Sequence, residues 1–211
     1  MTVAYNEMRS IMALAPVVPV ITIHDPAHAV PLARALVRGG LRALEVTLRT
    51  KAALAAIQAM ATEVPEAVVG AGTVISRKQI DQVARAGGQF CVSPGATPML
   101  LNAARDAGMK LLPGVATASE LMAMLERDLT YLKFFPAQAA GGVPMLKSLG
   151  GPLPQAVFCP TGGIKPGNAA EFLALPNVLC VGGTWICPQE ALERGDWAHI
   201  ENLARQAATM V

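Results

Sequence analysis

The chain has 211 residues, of which 53% are hydrophobic and 15% charged, and its formal net charge is +2. This apolar content is enough to form a substantial core in a single domain, which we expect to span residues 1–211, and it excludes a disordered chain. The lysines and arginines are scattered, without the basic run that binds a phosphate backbone, so a nucleic-acid partner is not expected.

The N-terminal segment, the apolar runs and the cysteines indicate the compartment. Residues 1–16 contain Glu7 and lack a basic segment followed by a long apolar core, so they do not resemble a signal peptide. No apolar run reaches the roughly 18 residues that a membrane span needs. The cysteines form no CxxC pair, which is typical of free thiols in a reducing compartment; they are Cys91, Cys159, Cys180 and Cys187. We expect a cytoplasmic protein without a membrane partner.

Short β-branched runs alternate with amphipathic runs rich in alanine and leucine, the pattern of parallel βα units. After a leading helix near residues 3–14, the predicted strands are 17–23, 43–47, 67–73, 89–92, 110–113, 131–135, 156–159 and 178–181. Eight such units predict an α/β fold, a compact (β/α)₈ TIM barrel with an extra N-terminal helix. A doubly wound open sheet is the alternative, and in both folds functional groups gather where strands end.

The predicted strand at 43–47 carries charge on one face. Alternation places the leucines and Val46 on a face suited to packing against helices. The opposite face would point into the barrel, where charged groups are costly unless they are paired or used; it comprises Ala43, Glu45, Thr47 and Arg49. We interpret Glu45 and Arg49 as functional, with a structural Glu45–Arg49 ion pair as the alternative.

Lys133 is the one lysine that falls inside an apolar strand. It lies between Leu132 and Phe134 and shares its strand face with Tyr131 and Phe135. Apolar surroundings disfavour the ammonium form and leave more neutral amine to attack a carbonyl. A lysine whose stem packs in the core while its head reaches water is the alternative.

Paired glycines follow the last two predicted strands. The segments 159–164 (CPTGGI) and 180–185 (CVGGTW) each run from a strand into Gly-Gly beside a threonine. Such loops let backbone N–H groups converge on an anion, and the loops after strands 7 and 8 of TIM barrels often bind phosphate. A phosphorylated small molecule is therefore the predicted ligand, and ordinary tight turns are the alternative.

Other motifs are weak or missing. In GAGT, residues 70–73, Thr73 is interpreted as a hydroxyl donor at the barrel mouth, because no complete nucleotide-binding motif is present. The three histidines are isolated from one another and no HExxH-type cluster occurs. We expect chemistry without a metal or another cofactor.

The motifs PVVPVI, LEVTLRT, VGAGTV, SPG at 93–95, KFFPA and CPTGGI, with the Gly182-Gly183 run, resemble the 2-keto-3-deoxy-6-phosphogluconate (KDPG) and 4-hydroxy-2-oxoglutarate (KHG) aldolases. The similarity runs from about Pro16 to the C-terminus. It implies a metal-free class I aldolase, a (β/α)₈ barrel assembled as a homotrimer, whose substrate is a phosphorylated 2-keto acid.

The same resemblance assigns roles to single residues. Lys133 would be the Schiff-base lysine and Glu45 the general acid/base. The substrate-binding residues would be Arg49 and Thr73 for the carboxylate, Pro94 and Phe135 for the pocket wall, and Thr161, Gly162, Gly163, Gly182, Gly183 and Thr184 for the phosphate. Two alternatives remain, a sugar-phosphate isomerase or epimerase on the same barrel and a barrel that binds or assembles without catalysis.

Overall fold

Parallel strands alternate with helices throughout residues 3–210, the part of the chain that this computed structural model describes, with side chains from residue 8 onward. The strands are β1 (Val17–Ile21), β2 (Ala43–Thr47), β3 (Val68–Gly72), β4 (Phe90–Val92), β5 (Lys110–Leu112), β6 (Gly114–Val115), β7 (Tyr131–Phe134), β8 (Val157–Pro160) and β9 (Val181–Gly183). The helices are α1 (Val3–Met12), α2 (Ala29–Arg38), α3 (Ala53–Glu63), α4 (Arg77–Arg85), α5 (Pro98–Asp106), α6 (Ala118–Leu125), α7 (Gly142–Gly150), α8 (Pro166–Leu173), α9 (Gln189–Arg194) and α10 (Trp197–Ala208).

The strands form two parallel sheets. Six strands pair in the order β5-β4-β3-β2-β1-β9, and three pair in the order β6-β7-β8. The sequence prediction of an α/β fold with a parallel sheet is therefore confirmed at this level.

Proline divides one predicted strand into two. The predicted strand at 110–113 is observed as β5 and β6, which lie on either side of Pro113. Proline has no N–H to donate to a neighbouring strand, so the regular ladder is interrupted there. Pro113 still takes part in backbone pairing with the next strand, because its carbonyl accepts a hydrogen bond from the Lys133 N–H at 2.9 Å.

The last strand lies further along the chain than predicted. The prediction was 178–181, whereas β9 is Val181–Gly183 and Val178 makes only an isolated bridge to Phe158. The Val178 N–H bonds back to Leu175 in a turn, so the apolar run begins before the strand does. A second isolated bridge, Thr161 with Gly182, links the end of β8 to β9.

The strands separate two apolar layers. Side chains on one strand face, such as Leu44 and Val46, pack against the helices in the larger cluster. The opposite faces contribute to a second cluster that draws on both sheets and on α1; its buried members are Met8, Ile11, Met12, Val18, Ala43, Phe90, Val92, Leu112, Cys159 and Cys180. The functional side chains described next lie beyond this cluster, at the carboxyl ends of the strands.

No helix within residues 3–210 combines the length and the apolar character needed to cross a lipid bilayer.

Candidate active site

A buried lysine and a buried glutamate meet inside the strand layer. The Lys133 Nζ lies 3.4 Å from the Glu45 Oε1, although the two residues are 88 positions apart in the chain. Their side chains are only 6% and 4% exposed. Within the described chain, they are the two charged residues that are buried, so neither charge is compensated mainly by water.

The strand that carries Lys133 explains this burial. Lys133 lies in β7, between Leu132 and Phe134, whose side chains face the helices. In the β7 ladder its neighbours in register are Gly114 on β6 and Cys159 on β8. The strand alternation therefore directs the amine inward, as the sequence predicted.

An aromatic ring borders the amine. The Lys133 Nζ lies 5.1 Å from the centre of the half-buried Phe135 ring. A ring face at this distance attracts a cation and excludes water from one side of the nitrogen. The role of Phe135 in a pocket wall stays a prediction.

Gly72 provides the space that Glu45 occupies. A Cβ at Gly72, the end of β3, would overlap the Glu45 carboxylate. Any other residue at this position would displace the carboxylate from the lysine. This close approach was not anticipated from the sequence, in which the available signal was a glycine near the end of a predicted strand.

Arg49 and Thr73 form a second contact at the same edge. The Arg49 Nε donates to the Thr73 Oγ1 at 3.2 Å. Thr73 has a φ of 60°, which is uncommon for a residue other than glycine and often marks a functional turn. Glu45 is paired with Lys133, so the alternative in which Glu45 serves as the partner of Arg49 does not describe this structure.

The two glycine-rich loops lie side by side. The bridge between Thr161 and Gly182 brings them together, and a Cβ on Gly182 would overlap the buried Thr161 hydroxyl. Gly162 and Gly163 have φ values of 101° and 76°, a conformation that requires glycine. The Asn168 Nδ2 holds the turn by donating to the Gly163 carbonyl at 3.1 Å.

The second glycine segment, which includes Gly183 and Thr184, differs from its prediction. Gly182 and Gly183 belong to β9 and pair with β1, instead of forming a loop after the strand. The Trp185 ring occupies the space where a Gly183 side chain would lie, so the strand requires a glycine here. Thr184 follows directly and is exposed.

Pro94 lies against Gly114, the residue of β6 that is paired with Lys133. It follows β4 and is exposed, and a Cβ at Gly114 would overlap its carbonyl oxygen. Because Gly114 is in register with Lys133, the Pro94 segment borders the lysine strand.

Two threonine hydroxyl groups meet at the carboxyl ends of β1 and β2, and the sequence did not predict a role for either. The Thr47 Oγ1 donates to the Ile21 carbonyl at 2.9 Å and lies 3.1 Å from the Thr22 Oγ1. The available signal was a threonine within the apolar predicted strand at 17–23.

The Cys180 thiol contributes no charge near the pair. A hydrogen bond with Cys159, together with burial, raises the pKa of the Cys180 thiol well above its ordinary value. Cys180 therefore stays neutral at physiological pH. Within residues 3–210, no group of three or more His, Cys, Asp or Glu side chains could hold a metal ion.

Comparisons with known proteins agree with this geometry. A family model described as KDPG and KHG aldolase matches residues 8–203. A 2-dehydro-3-deoxy-phosphogluconate aldolase of Pseudoalteromonas atlantica is 54% identical over 199 residues, which are 94% of this chain and 93% of the relative. A KHG/KDPG aldolase of Escherichia coli K12 is 54% identical over 198 residues, again 94% and 93% of the two chains.

A solved structure carries a covalent intermediate. It is the KDPG aldolase of Legionella pneumophila, in which pyruvate was captured at low pH as a carbinolamine. It superposes with a TM-score of 0.93 at 47% identity and covers 95% of this chain and 98% of its own.

Proposed function

The chain belongs to the KDPG and KHG aldolase family, and on that basis we propose that it is a class I aldolase that cleaves 2-keto-3-deoxy-6-phosphogluconate to pyruvate and glyceraldehyde 3-phosphate. KHG, the other substrate in the family name, is the second substrate of the proposal. The reacting groups would be Lys133 as nucleophile and Glu45 as general acid/base.

The observation that carries this proposal is the buried contact between Lys133 and Glu45. An amine attacks a carbonyl only in its neutral form, and a carboxylate 3.4 Å away can accept the proton that must leave. Transfer of that proton converts the ion pair into a neutral amine and a neutral acid. The pair thus prepares both the nucleophile and a proton donor.

The reaction then proceeds through an iminium ion. The Lys133 Nζ adds to the C2 carbonyl, the carbinolamine accepts a proton from Glu45, and water leaves. The iminium nitrogen accepts the electron pair of the breaking C3–C4 bond while Glu45 removes the C4 hydroxyl proton, which releases the aldehyde. Protonation of the remaining enamine at C3 and hydrolysis of the iminium return pyruvate and free Lys133. No step needs a metal or another cofactor.

The two ends of the substrate would be held by the other groups at this edge. Arg49 can bind the keto-acid carboxylate with charge-assisted hydrogen bonds, with Thr73 as its neighbour. The phosphate would lie on the two glycine loops, with the Thr161 and Thr184 hydroxyls beside the glycines. Binding at both ends places C2 near the amine and orients the bond that breaks.

We also propose that the two sheets are one closed (β/α)₈ barrel. β5 and β6 would be a single strand interrupted at Pro113, and the two bridges near Phe158 and Thr161 would join β8 to β9. The interior cluster shared by both sheets supports this closure, with α1 as the extra N-terminal helix that covers the lower end. The chain would then be a single domain over residues 1–211.

The barrel is proposed to assemble as a homotrimer in the cytoplasm. Three apolar side chains are unusually exposed on consecutive βα units, namely Ile75 (63%), Met99 (83%) and Met122 (53%), and they would contribute to the contact between subunits. The four buried free cysteines fit a reducing compartment. Sedimentation equilibrium should give three times the 22.0 kDa chain mass, and the mass of a monomer would contradict the assembly.

The proposed function is tested by trapping the intermediate. Incubation with pyruvate and borohydride should reduce the iminium and add one pyruvate-derived group to the chain. Intact mass gives the stoichiometry, and peptide mapping should place the group on Lys133. Labelling of a different lysine, or the absence of labelling, would contradict the assignment.

A further inference from the structure

We infer that Thr22 is a specificity-determining residue whose hydroxyl oxygen accepts a hydrogen bond from the C5 hydroxyl of the substrate, the carbon between the cleaved bond and the phosphate-bearing carbon. This inference rests on the proposed aldolase function and identifies a contact beyond it. Its basis is the position of Thr22 in the strand order and the direction of the hydrogen bonds around it.

The strand order places Thr22 between the two ends of the site. β1 lies between β2, which carries Glu45, and β9, which carries Gly182 and Gly183. A substrate that extends from Glu45 on β2 to Gly182 and Gly183 on β9 passes over the carboxyl end of β1, the strand between them. Thr22 is the residue directly after that end.

The register fixes the height of Thr22 in the site. Val20 is paired with Glu45, so Thr22 lies two residues nearer the mouth on the adjacent strand. Val18 points into the interior cluster, and alternation puts Thr22 on the same inward face. The contact with Thr47, which shares the face of Glu45, agrees with that direction. Since Glu45 acts on the C4 hydroxyl, Thr22 faces the next carbon toward the phosphate.

The neighbouring hydroxyls decide what Thr22 can bind. A threonine hydroxyl has one hydrogen to donate. When Thr47 donates its hydrogen to the Ile21 carbonyl, Thr22 is the donor in the 3.1 Å contact with Thr47. Only lone pairs remain on the half-buried Thr22 oxygen, and they can accept but not donate.

An acceptor at this point selects for a hydroxyl group. A carboxylate or a phosphate oxygen brings no hydrogen and would be repelled, and a methylene would leave the lone pairs of the oxygen without a donor. A site built to bond a hydroxyl disfavours the analogue that lacks it. Thr22 would therefore favour an aldehyde with a hydroxyl next to its carbonyl, such as glyceraldehyde 3-phosphate, over its 2-deoxy analogue.

The experiment compares these two aldehydes in the synthetic direction. Condensation of pyruvate with glyceraldehyde 3-phosphate and with 3-phosphooxypropanal, which lacks only that hydroxyl, is measured as kcat/KM for each acceptor. Thr22→Val removes the hydroxyl at nearly constant size. The ratio of the two kcat/KM values should fall by about 3- to 10-fold, the value of one hydrogen bond.

Thr22→Ser is the matched control, because it keeps the hydroxyl and should keep the ratio within about twofold of the original. Exchange of the pyruvate methyl protons and trapping by borohydride do not involve C5 and should be unchanged in both variants. An unchanged ratio in Thr22→Val, or an equal loss with both aldehydes, would overturn the inference. A native chain that traps no pyruvate overturns the aldolase function itself, so the two failures are distinguishable.

Discussion

Lys133→Ala is expected to abolish both borohydride trapping and aldol cleavage, with a loss of activity of at least about 10⁴-fold, the scale seen when a covalent nucleophile is removed. The carboxylate, the arginine and the glycine loops remain, so the variant should still bind substrate. Trapping followed by intact mass, and cleavage coupled to detection of pyruvate, measure the two losses.

The stability of this variant is a separate expectation. Removal of Lys133 leaves Glu45 buried without its cation, and breaking a buried ion pair costs about 3–5 kcal/mol. Lys133→Met fills more of the space, and Lys133→Met combined with Glu45→Gln also removes the unpaired charge. We expect the double variant to melt above Lys133→Met and to be equally inactive.

Lys147→Ala provides the matched control, because Lys147 is exposed on α7. It should trap pyruvate and cleave substrate at the level of the original chain. If Lys133→Ala retained trapping, the nucleophile would be another lysine. If it retained cleavage without trapping, the cleavage would proceed without a covalent intermediate on a lysine.

The elements of the fold followed from local patterns in the sequence. Alternation in LEVT placed Leu44 and Val46 toward the helices and Glu45 toward the interior, and the structure confirms these faces. The same rule placed Lys133 opposite to Leu132 and Phe134. Side-chain alternation is a backbone property, so a correctly located strand fixes it without knowledge of tertiary contacts.

Strand ends were less predictable, because they depend on neighbouring strands. Pro113 fitted an apolar run but could not donate to the ladder, which divides the strand. Gly182 and Gly183 appeared to be turn residues, yet they lie in β9 and pair with β1, and Thr161 and Trp185 fill the space where their side chains would lie. Only the packed neighbours show that these glycines are required within a strand.

The pairing inside the site was also beyond the sequence. Glu45 and Arg49 lie four residues apart on one predicted face, which made a local ion pair a reasonable alternative. The arrangement of the strands instead brings Glu45 to Lys133, 88 residues away, and Arg49 to Thr73. A contact over this separation depends on strand order and register, which no local pattern specifies.

Glu45→Gln is expected to slow the reaction without removing the attachment point. Glutamine keeps the size of the side chain but cannot accept a proton near neutral pH. Cleavage of the aldol substrate and exchange of the pyruvate methyl protons should both fall by roughly 10²–10⁴-fold, the usual contribution of a positioned acid/base group. Trapping at Lys133 should become slower, since loss of water from the carbinolamine also moves protons, but it should still occur.

Glu63→Gln is the control for this change, because it removes an exposed carboxylate at the end of α3. It should leave exchange, cleavage and melting temperature within experimental error of the original chain. Glu45→Asp keeps the carboxylate but draws it back by one methylene. It should recover part of the exchange rate if proton transfer is the role of Glu45.

Solvent deuterium uptake into pyruvate separates the two interpretations of Glu45. If Glu45 only balances the charge of Lys133, the Gln variant melts at a lower temperature but exchanges protons near the original rate per folded site. If Glu45 transfers protons, exchange falls in the fraction that remains folded, while the label stays on Lys133. Exchange of the methyl protons requires a base but does not require cleavage of the carbon chain. Near-normal exchange in the Gln variant would therefore remove Glu45 from the mechanism.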